Sequence, residues 1–327
     1  MRDFLRTSAA RVWLPLLAAA AAMASLDRGA DAGDLVYFVH RGEVLLSGQW
    51  AQTFSDPMLQ SGPLQLVVFG AVRNLGALAF VVELGVAALL LFVLGRLGAR
   101  DGVRTMVGLA AVAAGLTHLA FADGHPAEAV VPLLWVLAGK WAREDRVGAA
   151  GVLVGVSAGL ELWGILGLPL LLLAPRLRRA CLGAAAGVTV LLLQLAPFAL
   201  FGDFRMFQRE WRITTGTVLS FVTMPGTEFG WPFRVAQAGL AVAAGIAVAV
   251  AARRSVHAVW LAPLAVVLVR IVLDPVSFGW YWLEPEALAL VGAALVLTEL
   301  PTRFPAARLG RAAAPRHPAA PLPPARS

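Results

Sequence analysis

Apolar stretches separated by short polar turns run along almost the whole chain. The clearest cover residues 12–26, 75–97, 103–122, 127–141, 182–201, 233–252, 256–273 and 287–300. Crossing the hydrocarbon core of a bilayer takes about 20 apolar residues in a helix, so most of these predict a membrane-spanning helix. The first follows Arg2, Arg6 and Arg11, and suits a signal peptide or an uncleaved first helix equally well. Pro63 to Val72 is apolar but short. Residues 147–174 are apolar for too long to be one crossing. They carry Glu161 mid-run, and arginine clusters flank both ends (Arg143 and Arg146; Arg176, Arg178 and Arg179). Arginine prefers the cytoplasmic side, so this stretch predicts a hairpin of two short helices turning near Glu161.

The expected fold is therefore an all-α, polytopic integral membrane protein with about 9–11 transmembrane or half-spanning helices. A membrane domain over 1–300 presents outward loops at 27–62, 123–128, 202–232 and 274–286. The tail, 301–327, holds seven prolines, five arginines and no acid, which predicts a disordered, basic, Pro-rich cytoplasmic end. The opposite segments, including both termini, carry 19 of the 27 basic residues, as the positive-inside rule requires. The expected location is the cell membrane, multi-pass, with both termini cytoplasmic.

Composition sharpens this picture. The chain of 327 residues is 59% hydrophobic and 14% charged, with mean hydropathy +0.76. Soluble domains run nearer 45–50% apolar and 25% charged, so an ordinary soluble protein is excluded, as is a largely disordered one. The net charge is +7, with Lys140 the sole lysine. The arginines cluster between apolar runs and form no basic stripe, so no nucleic-acid partner is expected. The single Cys181 allows no internal disulfide.

The chemistry-bearing residues collect in the outward loops. Apolar positions 35, 38, 39, 45 and 46 fall partly at helical spacing and suit an interfacial helix. Asp34 stands at its start, where a carboxylate suits the helix dipole and Asp is a favoured N-cap. Asp123-Gly124-His125-Pro126 is a polar turn, and His125 suits a phosphate or a hydroxyl. Arg205, Arg209 and Arg212 would share a helix face, suited to a phosphate or to lipid headgroups. Trp280 and Tyr281 lie in an aromatic run that suits sugar stacking or an interfacial belt. Glu83 and Glu161 are acids at membrane depth, functional candidates by default. No metal-ligand spacing is present, and no cofactor is expected.

Three stretches together resemble the GT-C superfamily of polytopic glycosyltransferases, nearest the actinobacterial mannosyltransferase-like family 87. Asp34-Leu35-Val36-Tyr37 followed by Leu45-Leu46-Ser47-Gly48 is similar to that family's first-loop pattern. Gly124-His125-Pro126 sits where the family commonly has Gly-Gln-x-Asn. Gly155 to Glu161, leading to Leu168-Pro169 and Arg176-Leu177-Arg178-Arg179, resembles its short helical hairpin. The resemblance covers about residues 30–200, with His125 in place of Gln and Glu161 where Lys is common.

It implies inverting transfer of a mannose-type sugar from a polyprenyl-phosphate donor to a glycolipid or cell-wall glycan acceptor at the outer leaflet. Membrane lipids would be the surroundings. Asp34 matches the family's catalytic position and would be the base. His125, Asp123, Arg209, Arg212, Trp280 and Tyr281 would bind substrate. Two other classes compete. One is a transporter or flippase of a lipid-linked or small solute, favoured by Glu83, Glu161 and the broken hairpin. The other is a catalytically inactive GT-C-like membrane protein.

Overall fold

The computed structural model describes residues 8–29 and 33–300. Arg2, Arg6, Asp31 and the tail from Pro301 lie outside these. Twelve α-helices fill most of the described chain. They are α1 (Ser8–Leu26), α2 (Leu35–Leu46), α3 (Pro63–Val72), α4 (Leu75–Arg96), α5 (Asp101–Ala113), α6 (Leu116–Ala122) and α7 (Pro126–Arg143). After them come α8 (Val147–Leu160), α9 (Leu177–Phe201), α10 (Trp231–Ala251), α11 (Ala258–Val272) and α12 (Leu283–Glu299). Two-residue strands, β1 (Trp211–Arg212) and β2 (Glu228–Phe229), pair antiparallel. Five stretches are long and apolar enough to cross a membrane: Leu75–Arg96, Asp101–Ala122, Leu177–Phe201, Trp231–Ala251 and Gly279–Glu299. Five further apolar helices are shorter.

Residues 147–174 fold as the sequence predicts, into a hairpin. Its first arm is α8 and its second a 3₁₀ helix, Leu162–Leu173, with Glu161 extended between them. An α-helix rises about 1.5 Å per residue and a 3₁₀ helix about 2.0 Å. Twelve 3₁₀ residues therefore reach about as far as fourteen α residues, and the arms match. Trp135 of α7 fastens the hairpin: its indole N–H donates to Gly164 O (2.8 Å) and to Ser157 Oγ (3.1 Å). On its other side α8 crosses α9 backbone to backbone. A Cβ at Gly151 would stand 2.0 Å from Gly183 O, so only glycine permits this approach, as in small-residue crossings within membranes.

The bundle has two chemically different ends. At one, the arginine-rich turns are tied together. Arg96 reaches Glu144 (3.7 Å), Arg179 reaches Asp145 (3.1 Å), and Arg100 donates to Leu300 O (3.1 Å). Arg143 bonds Ser255 O, and Arg253 bonds Ala174 O. At the other end lie the polar loops: Gly62 N–H meets Leu160 O (2.8 Å), Asp203 N–H meets Ala51 O (2.9 Å), and Thr214 N–H meets Pro275 O (2.8 Å). From α4 to α12, with α5 and α6 together making one crossing and the two hairpin arms counted separately, the crossings run alternately between these ends. This is the sorting that the arginine asymmetry predicts.

Segment 202–230 departs from expectation. It holds short 3₁₀ turns and the β1–β2 pair rather than a continuous helix, so Arg205, Arg209 and Arg212 do not share a helix face.

Candidate active site

Local geometry at Gly33 builds the site. Gly33 adopts φ +49°, and a Cβ there would stand 2.9 Å from Asp123 O. The first loop thereby lies directly on the 123–126 turn, where Gly124 also takes a left-handed conformation (φ +79°). The contact sets Asp34 Oδ2 3.2 Å from His125 Nε2. Asp34 does occupy the N-cap position of α2, but it has helical backbone angles, and its side chain makes no capping bond. The capping expectation is corrected: the carboxylate turns to the imidazole instead. The hydrogen bond from His125 and its charge hold the Asp34 carboxyl below its ordinary value, outweighing the opposite pull of partial burial.

His125 is held on several sides. Its ring stacks on Trp280 at 4.4 Å, with 7° between planes, and meets the edge of Phe38 at 5.6 Å. Phe278 stacks on the same indole at 4.3 Å and 9°. Trp280 thereby packs on both His125 and Phe278, and it also lines the cavity beside them. Trp280 fixes the plane of His125.

Asp34 and His125 line a cavity of about 830 Å³, within the size range of small-molecule sites. Asp34, with its side chain 59% exposed, marks the mouth, and Glu161, 7% exposed, lies deep within. One wall is apolar, formed by Ile165 and Leu166 of the 3₁₀ arm with Trp231, Val235 and Ala238 of α10. The other walls are polar. Tyr37 donates to Asp56 Oδ2 (2.8 Å). Burial, then this bond, push the Tyr37 hydroxyl upward. The Met58 N–H, the Tyr37 hydroxyl, Arg41 and Arg209 overcome the burial of Asp56 and hold it below its ordinary value. Burial pushes Asp274 up to about 6, against the lowering effect of Arg270.

Arg209 lines the cavity with its guanidinium over Trp211 (4.6 Å), and its Nε has no hydrogen-bond partner. Arg234 lies beside it, bonded to the Arg209 carbonyl. Two expected residues are absent from the lining. Asp123 contributes its backbone to the Gly33 contact, and Arg212 is exposed on β1, where it pairs across to Glu228. Tyr281 lines the cavity, but its ring lies against Arg270 (5.1 Å).

The deep wall contains a group that the sequence reading passed over. Arg270 of α11 lies between the rings of Trp163 (4.3 Å) and Tyr281 (5.1 Å). It is bonded to Glu284 and stands 3.6 Å from Glu128 Oε2. The signal was present: a single arginine in an apolar run carries the same cost as the acids at membrane depth. No group of acids, histidines and cysteines among the described residues could hold a metal ion. Compared with family models, curated proteins and solved structures, the chain matches none.

Proposed function

We propose that this protein is a multi-pass membrane glycosyltransferase of the GT-C kind. It moves a mannose-type sugar from a polyprenyl-phosphate donor to a glycolipid or cell-wall glycan at the outer leaflet. The observation that carries the proposal is the Asp34–His125 pair at the mouth of a cavity that is apolar along one wall and charged along the others. An amphiphile with a polar head suits such a cavity. Its lipid chain lies along Leu166, Val235 and Ala238, and its phosphate meets Arg209 and Arg234. In the reaction, Asp34 takes the proton of the acceptor hydroxyl as that oxygen attacks the anomeric carbon. The carbon–oxygen bond to phosphate breaks on the opposite face, and polyprenyl phosphate leaves with its charge held by the arginines. His125 orients the Asp34 carboxylate and keeps it ionised.

Transport is the weaker reading. Alternating access needs an exit at the far end, and there arginines bond Ser255 O, Ala174 O and Leu300 O across four turns and the end of α12. Those ties would have to break in every cycle.

The direct test is product formation by purified protein given a polyprenyl-phosphate sugar and a membrane glycolipid. Within it, Arg209→Ala should raise the donor KM roughly tenfold to over a hundredfold, the worth of a charge-assisted hydrogen bond. Arg209→Lys should recover only part, since it loses the planar fork. Arg212→Ala should leave donor dependence unchanged. Equal effects at 209 and 212 would assign both arginines to headgroup anchoring. Orientation is tested by labelling single cysteines in intact cells, in a Cys181→Ala background. Thr215→Cys should react with an impermeant maleimide, while Arg178→Cys and Arg254→Cys should stay protected until the cells are opened. The reverse pattern would put the cavity in the cytoplasm.

A further inference from the structure

We infer that Asp27 and His118 are positioning residues for the Asp34–His125 pair: a second Asp–His contact, upstream on both segments, sets the register in which the catalytic pair meets. The inference rests on the reading above of Asp34 as the base and adds two residues to its support.

The two contacts share one pattern. His118 Nδ1 lies 2.6 Å from Asp27 Oδ2, and His125 Nε2 lies 3.2 Å from Asp34 Oδ2. In each, an aspartate meets a histidine ninety-one residues further on. Asp27 precedes Asp34 by seven residues, and His118 precedes His125 by the same seven. The contacts are therefore in parallel register.

The upstream contact is the better protected. The Asp27 side chain is 9% exposed, and that of Asp34 is 59% exposed. An exposed ion pair does little to hold its own geometry, because water and side-chain freedom compete with it. A short bond to a buried carboxylate meets less competition. Both segments are also anchored to α4 at this level. Arg28 lies over the Phe80 ring (4.9 Å), next to Asp27. Thr117, next to His118, donates to Glu83 Oε2 (3.3 Å).

α6 needs such anchors. It has seven residues and follows Gly115, whose φ of +93° separates it from α5, so its rotation is not inherited from that helix. Its far end carries the site: a Cβ on Gly33 would stand 3.1 Å from Ala122 O and 2.9 Å from Asp123 O. Rotation of α6 would carry the 123–125 turn away from Gly33 and part His125 from Asp34. The Asp27–His118 contact joins the two segments that bear the catalytic pair, and so opposes that rotation directly.

The test follows two readouts in the full chain in nanodiscs. One is steady-state transfer from a polyprenyl-phosphate sugar to a membrane glycolipid. The other is the imidazole nitrogen NMR spectrum, with the His125 signal identified by its loss in His125→Ala. Asp27→Ala should lower kcat about tenfold to a hundredfold, the effect of a small misplacement. Donor KM should stay near wild type, because Arg209 and Arg234 stand on other segments. The His125 signal should move toward its position in Asp34→Asn. Asp27→Asn, whose amide oxygen still accepts from His118, should recover most of both. In an Asp34→Asn background, Asp27→Ala should lower kcat no further, since the group it positions is already lost. A further loss of equal size there would mean that Asp27 acts on the fold at large, and would overturn the inference. So would wild-type kcat with an unmoved His125 signal in folded Asp27→Ala protein. Should Asp27→Ala fail to fold, Asp27→Ala combined with His118→Ala, which leaves neither partner unpaired, carries both readouts. Absence of transfer by the wild-type protein would overturn the transferase reading, and the His125 signal would then decide the Asp27–His118 assignment alone.

Discussion

Asp34→Asn should leave a folded, inserted protein whose transfer rate falls by about 10²–10⁴, the usual contribution of a positioned general base. Because the Asp34 side chain makes no capping bond, the change removes no helix-terminal contact. The amide oxygen can still accept from His125, so the loop-to-turn contact at Gly33 persists. Only the proton acceptor is lost. Donor binding, measured apart from turnover, should stay near wild type. Full turnover in this variant would remove Asp34 from the chemistry and leave it a surface partner of His125.

A pH profile separates the two members of the pair. The His125 hydrogen bond holds Asp34 below its ordinary value of 3.8, so the wild-type base stays ionised at lower pH than an ordinary aspartate. The acid limb of kcat/KM that belongs to it therefore lies below that value. His125→Ala removes the lowering influence, and the limb should move to higher pH. An unmoved limb would mean that the imidazole does not set the ionisation of the carboxylate.

Arg270→Met should be the most damaging single substitution for stability. It leaves Glu128 and Glu284 buried together without their guanidinium. Breaking a buried ion pair by removing one partner costs about 3–5 kcal/mol. Rings that now flank a charge would flank a thioether, so packing is largely kept and the loss is electrostatic. Folded yield and unfolding temperature in detergent should both drop sharply. Adding Glu128→Gln and Glu284→Gln to Arg270→Met should recover most of the loss, because replacing the whole set removes the orphaned charge. A single Arg270→Met protein as stable as wild type would show that the carboxylates do not depend on it.

Much of the fold is written locally. A helix satisfies its backbone groups within itself, so a helix long and apolar enough to cross a membrane appears as a contiguous apolar run, and turns interrupt those runs. The long apolar helices near 75–96 and 231–251, the hairpin at Glu161 and the helix after Asp34 are legible for this reason. The arginine clusters at 96–104, 143–146, 176–179 and 253–254 belong to one end of the bundle by the same kind of local signal. The sequence also implies which loops share an end with Asp34.

Which side chains meet was decided only by packing. Asp34 and His125 are ninety-one residues apart, and their contact depends on Gly33 fitting against the carbonyl of Asp123. Stacking of Trp280 on His125 requires α12 to return beside α7, so a residue of the aromatic run also supports the imidazole. Arg212 lost its expected place because the loop folded as a short β pair, while Arg234, inside an apolar helix, took the position beside Arg209. Arg270, Glu128 and Glu284 come from three helices, and no spacing along the chain links them. Period and composition report what solvent each residue faces. A cavity is made by the approach of distant helices, and that approach depends on small-residue crossings and on which buried charges can be satisfied together.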